Sequence, residues 1–117
     1  MREKYVKNLN KEYTFSKDGF HVTLPSIQNN DVSICFVDIN GERTSYCMLD
    51  RSTIFYYVLE GSGQFEIGSD KVKVQKDDLV EILSGQKYSY LGNMKLLEIQ
   101  SNGFDESEVH EFKKEMK

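Results

Sequence analysis

The stretch FYYVLEGSGQFEIG, residues 55–68, decides the fold class. Its first half sets aromatic and β-branched residues side by side, and its second half alternates apolar with polar positions, as strands do. Similar short runs recur on either side between about residue 20 and residue 100: FHVTL, VSICFVDI, RTSYCML, KVKVQ, DLVEIL, YSYL and MKLLEIQ. Turn residues separate them at Asn29-Asn30-Asp31, Asn40-Gly41, Gly61-Ser62-Gly63, Gly68-Ser69-Asp70, Asp77-Asp78, Ser84-Gly85 and Gly92-Asn93. Gly61 and Gly63 are expected to bracket a tight reversal, and Gly85 a similar bend, because only glycine takes positive φ without strain. Many short strands at close spacing predict an all-β barrel or sandwich rather than alternating βαβ units.

A chain of 117 residues has room for one core. Its 15 basic and 19 acidic residues give a net charge of −4, which offers no footprint for a nucleic-acid backbone or an anionic membrane. No apolar run approaches the roughly 20 residues that cross a bilayer. The opening MREKYVKNLNKEY lacks the apolar core of a secretory signal, so a cytoplasmic location is expected. Cys35 and Cys47 form neither a disulfide framework nor a zinc-binding spacing. A two-residue turn at Asn40-Gly41 sets Ile39 opposite Glu42. The two thiols then point to opposite faces of the sheet, and both are expected to be reduced.

The chain divides into an N-terminal arm (1–19), a barrel (20–103) and a C-terminal helix (104–117). For the helix, Asp105 is the expected cap, Glu108 the far side of a capping box, and Phe104 a staple onto Val109. Val109, Phe112 and Met116 would share its apolar face.

The stretch from Gly41 to Asn93 resembles the cupin family. The first cupin motif runs Gly, five residues, His-x-His, three or four residues, Glu, six residues, Gly. Here Gly41 is followed by Cys47-Met48-Leu49, then Ile54, then Gly61. The second runs Gly, five residues, Pro-x-Gly, two residues, His, three residues, Asn. Here Asp77 is followed by Leu83-Ser84-Gly85, then Tyr88, with Gly92-Asn93 near the end. The resemblance implies a double-stranded β-helix, or jelly-roll barrel. It also places Cys47, Leu49, Ile54 and Tyr88 where metal-binding cupins carry three His and one Glu. Leu and Ile have no lone pair to give, and a neutral phenol is a poor ligand. Shifting the first motif by one residue offers Met48 and Asp50, a set no better. A metal-free barrel with no cofactor is therefore expected.

By strand alternation Ser45, Cys47 and Leu49 share one face, as do Ile54, Tyr56 and Val58, and as do Tyr88 and Tyr90. If these faces look inward, the candidate ligand-binding set is Cys47, Leu49, Ile54, Tyr56, Tyr88 and Tyr90. Two readings of that interior stand side by side: a packed core with satisfied tyrosines, or a pocket for a small organic or carbohydrate-like ligand bound without catalysis. A third follows from the resemblance, since some sugar-nucleotide isomerases and epimerases similar to cupins work without metal. Tyr88 or Tyr90 with Asp50 or His21 would then shuttle the proton. Cys47 as a nucleophile has no histidine beside it in sequence and reads as a buried structural thiol. Phe55, Tyr57 and Leu59 face the other way and need cover from the N-terminal arm, the C-terminal helix or a second subunit, and a homodimer is expected.

Overall fold

A computed structural model describes residues 5–6, 15–17, 20–23, 31–103 and 105–114. Nine strands lie among them: β1 (Phe15–Lys17), β2 (Phe20–Thr23), β3 (Val32–Glu42), β4 (Ser45–Leu49), β5 (Ile54–Ile67), β6 (Asp70–Gln75), β7 (Leu79–Ile82), β8 (Tyr88–Ser101) and β9 (Val109–Lys113). All ladders are antiparallel. β8 pairs with β5 along one edge; along the other it pairs with β3 and, through Tyr88 and Cys47, with β4. Beyond these lie β2 and β1 outside β3, β9 outside β4, and β6 and β7 against β5.

Three of the expected turns are not turns. Asn40-Gly41 continues β3, Gly61-Ser62-Gly63 continues β5, and Gly92-Asn93 continues β8. They lie side by side, because Gly92 pairs with Gly41 on one edge and with Gly63 on the other. Gly41, Gly61 and Gly92 have φ of 124°, 83° and 131°, so glycine's freedom serves to crease a continuous sheet and not to reverse the chain. A bulge between Val58 and Glu60 sits beside the crease. The crease closes the barrel. Laid flat, 14 residues of strand would span roughly 46 Å. Yet the Tyr56 hydroxyl, level with Glu98 in the ladder, lies 3.0 Å from the hydroxyl of Tyr88 at the far end of β8.

Because Asn40-Gly41 does not reverse the chain, odd-numbered residues point inward through β3 and on through β4. Cys35 and Cys47 are both buried on this one inner face, which corrects the expectation of opposite faces; both are free thiols. Even-numbered Tyr88, Tyr90, Met94, Leu96 and Gln100 face them from β8, and Ile54, Tyr56 and Val58 from β5, completing the core. The turns expected at Gly68-Ser69, Asp77 and Ser84-Gly85 are present.

The C-terminal segment is not the expected α-helix. Glu106–Glu108 forms one 3-10 turn, and the chain then extends as β9 against β4, from Leu49↔Val109 to Ser45↔Lys113. Asp105 does cap, its carboxylate accepting from the Ser107 amide at 3.0 Å. The rest of the helix loses to the open edge of β4, whose backbone groups need partners that a helix cannot supply. Glu108, 2% exposed, turns away from a capping box. It accepts from the amides of Arg51 and Ser52 at 3.2 and 2.9 Å and from the Ser52 hydroxyl at 3.1 Å, pinning β9 to the loop before β5. Phe104 and Met116 lie outside the described residues.

A methyl added at Gly92 would lie 2.6 Å from the backbone of Ser62 and Gly63, whereas one at Gly41 meets nothing within 4 Å. Both substitutions strain a positive φ, but only the first also wedges two strands apart. Gly92→Ala is expected to lower unfolding stability by about 3 kcal/mol and Gly41→Ala by about 1 kcal/mol, read from denaturant midpoints. Equal losses would contradict the crease.

Candidate functional site

The inner faces bring an aromatic cluster together at the middle of the barrel. Rings of Tyr56 and Phe65 on β5 and of Tyr88 and Tyr90 on β8 lie with centroids 5.3–6.4 Å apart, mostly tilted or edge to face. Phe20 of β2 closes over Tyr90 at 5.9 Å. Such contacts favour a rigid wall in which each phenol needs a polar partner.

Tyr56 and Tyr90 have charged partners, Glu98 and Arg43, while Tyr88 meets the hydroxyl of Tyr56. The Tyr56 hydroxyl donates to one oxygen of Glu98 at 2.5 Å and meets the Tyr88 hydroxyl at 3.0 Å. The other Glu98 oxygen accepts from the Cys35 thiol at 2.6 Å. The result is a line of polar atoms, Cys35–Glu98–Tyr56–Tyr88, crossing the barrel, with Cys47 beside Tyr88 in the adjacent strand. Glu98 is half-buried while the tyrosines are 1–3% exposed, so solvent approaches this line at the carboxylate.

Opposite stands Arg43, 6% exposed, its guanidinium stacked 4.7 Å from the Phe20 ring centroid and 5.5 Å from that of Tyr90. It donates to Glu111 on β9 at 3.2 Å, and at 3.4 Å to the hydroxyls of Ser45 and Tyr90. Glu111 also accepts from Lys17 of β1 at 2.7 Å. β1 and β9 are the two ends of the strand path that runs through β2, β3, β8 and β4, so this ion cluster spans the seam of the barrel.

The environment fixes protonation. Burial, and then the Glu98 carboxylate, push the Tyr56 phenol well above the usual range. Burial and then Cys47 do the same for Tyr88. Tyr90 is raised by burial although Arg43 pulls the other way. Burial raises the Cys35 thiol, with Glu98 adding to it. Burial also raises Cys47, against an opposing pull from Arg43 and Tyr88. At neutral pH the phenols are therefore neutral donors and neither thiol is a thiolate nucleophile. Glu111, held by the Lys17 hydrogen bond, lies below the usual carboxylate range.

All six expected site residues are buried in the core. The structure gathers Tyr56, Tyr88, Tyr90 and Cys47 round the polar line. Leu49 and Ile54 are apolar wall. Among the described residues no three His, Cys, Asp or Glu gather in one place. The expected partners for the tyrosines are elsewhere: Asp50 pairs with His110 at 2.8 Å on the surface, and His21 meets Ser16 at 2.7 Å. Sequence reasoning missed Glu98, Arg43, Cys35 and Glu111. A signal existed for Glu98, which falls in phase with Met94 and Leu96.

No family model and no curated protein matches the chain. Solved structures do. Pac13 of Streptomyces, described as a nucleoside dehydratase, superposes with a TM-score of 0.82 at 22% identity, over 89% of this chain and 92% of that one. Its histidine-to-glutamine variant and two tyrosine-to-phenylalanine variants have been solved with uridine. KdgF from Halomonas follows with a TM-score of 0.70 at 11% identity, over 82% of this chain and 90% of that one. An RmlC-like cupin from Shewanella frigidimarina gives 0.66 at 12% identity, over 85% of this chain and 96% of that one. The chain folds as a cupin barrel.

Proposed function

We propose that this protein is a metal-independent enzyme that binds a nucleoside- or sugar-like polyol in its barrel and acts on it by acid–base chemistry. The observation that carries the reading is the Glu98–Tyr56–Tyr88 line. A carboxylate able to take a proton accepts from the neutral Tyr56 phenol, which in turn meets the Tyr88 hydroxyl, beside aromatic rings on which a base or sugar ring would stack once the cluster opens. A barrel built only as a scaffold would fill that space with apolar side chains, because isolated charges are costly to bury. The likeness to Pac13, a nucleoside dehydratase solved with uridine, supports the substrate class. The histidines of this chain, His21 and His110, are both partnered on the surface, so Glu98 takes the base role. Close packing of Tyr56, Tyr88 and Tyr90 favours a second reading, binding without turnover, in which the line only orients the ligand.

The test incubates the parent with uridine, uridine 5′-monophosphate and UDP-glucose in deuterium oxide, with and without excess chelator. Binding and exchange of carbon-bound protons are read by NMR. Exchange or product is expected with at least one compound. Glu98→Gln should slow it by at least about 100-fold while changing affinity by less than about threefold. Binding without exchange or product would establish the second reading. Binding of none would overturn both, and loss of turnover on chelation would overturn metal independence.

The reading includes a homodimer. Ile34, Phe36, Phe55, Tyr57, Leu97 and Ile99 form a half-buried apolar outer face across β3, β8 and β5. Sedimentation at tens of micromolar is expected to give twice the chain mass of 13.6 kDa; the monomer mass would contradict it.

A further inference from the structure

Arg43 is an unusual interior residue for a barrel whose ligand is uncharged. Its guanidinium lies over the Phe20 and Tyr90 rings and the residue is 6% exposed, so it has given up nearly all of its water. A charge in that position needs close, well-directed acceptors. Among the described residues it has one carboxylate, Glu111 at 3.2 Å, and that carboxylate already accepts from Lys17 at 2.7 Å. Two cations thus share one anion. The other contacts of Arg43, to Ser45 and Tyr90, are both 3.4 Å, at the long limit of a hydrogen bond, and both are to neutral hydroxyls. Each guanidinium nitrogen has one partner, but only one of the three partners is an anion, and a planar fork with five donors can take a second oxyanion contact. The Glu111 side chain is 42% exposed and that of Lys17 38%, so both can move into water while Arg43 stays stacked.

From this geometry we propose that Arg43, assisted by Lys17, is the subsite for an oxyanion carried by the ligand. Glu111 fills that place in the unliganded protein and swings away on binding. The oxyanion is a phosphate or carboxylate attached to the polyol, and a bidentate contact to the guanidinium selects it. The proposal rests on the barrel-binding reading above and extends it. A stacked Tyr90 links the anion subsite to the Tyr88–Tyr56–Glu98 line, so the charged end and the reacting end of one ligand would be held together.

Calorimetry with uridine against uridine 5′-monophosphate, and glucose against glucuronate, tests this on the parent, Arg43→Lys and Glu111→Gln. Thermal shift with sodium phosphate against sodium chloride at equal ionic strength runs beside it. At least one charged ligand is expected to bind the parent roughly tenfold tighter than its neutral counterpart. The pair that shows it tells phosphate from carboxylate. Glu111→Gln should widen the preference by removing the internal competitor, and Arg43→Lys should remove most of it. Glu111 is half-exposed, so its variant carries the test if Arg43→Lys does not fold. Equal affinity within both pairs in the parent and in Glu111→Gln would overturn the proposal, as would a preference that Arg43→Lys leaves intact. If no polyol binds but phosphate raises the melting temperature of the parent and not that of Arg43→Lys, the anion subsite stands and the polyol reading falls. If neither polyol nor phosphate has an effect, both fall.

Discussion

Gly41, Gly92 and Gly63 stand next to one another on three neighbouring strands, and the side chains they lack would collide with the facing backbone at two of the three positions. Where backbones approach that closely, a sheet can bend through an angle that an ordinary twisted sheet does not reach. The bend turns the N-terminal half of β8 back over its C-terminal half. Residues ten positions apart along one strand are then brought within reach of one side chain: Tyr56 touches both Glu98 and Tyr88. The polar line across the barrel exists because the crease does. Its bulk comes from aromatic rings whose edge-to-face packing leaves little freedom to rearrange piecemeal.

Charge enters that closed space at two places. Glu98 is flanked by donors only, the Tyr56 phenol and the Cys35 thiol, which suits an ionised carboxylate. Arg43 lies over the Tyr90 ring and is tied through Glu111 to the seam between the ends of the strand path. The thiols, raised by burial, remain protonated and contribute hydrogen bonds rather than nucleophilicity. On the proposed reading, Glu98 supplies oxygen acid–base chemistry and Arg43 recognises an anion.

Strand positions and inner faces were legible because alternation survives from sequence to structure: Ile54, Tyr56 and Val58 read inward and are inward. The glycine dipeptides were misread for a physical reason. Positive φ is needed equally by a tight turn and by a crease inside a strand, and only the pairing partners tell them apart. That one ambiguity hid Arg43, since a reversal at Asn40-Gly41 breaks the odd-numbered phase that carries Arg43 to the same face as Cys35 and Cys47. It also put the thiols on opposite faces. Glu98 was readable from its phase with Met94 and Leu96, but a lone acid in a strand looks like a solvated one until its cross-barrel partner is known. At the C-terminus, the periodicity of Val109 and Phe112 fits a helix locally, while the unpaired edge of β4 is a long-range demand with no local trace.

Two grooves on the outside offer an alternative place for a ligand. One, of about 470 Å³, is lined in part by Lys73, Gln75 and Asp78, and the other, of about 440 Å³, by His21, Asp38 and Glu60 among others. Neither contains Glu98, Tyr56 or Arg43. A crystal structure of the protein soaked with uridine 5′-monophosphate separates these possibilities directly. The account predicts density inside the barrel, with a ring against Tyr88 or Tyr90 and a ligand hydroxyl within about 3 Å of Glu98. Density confined to either outer groove, with the aromatic cluster unmoved, would contradict it.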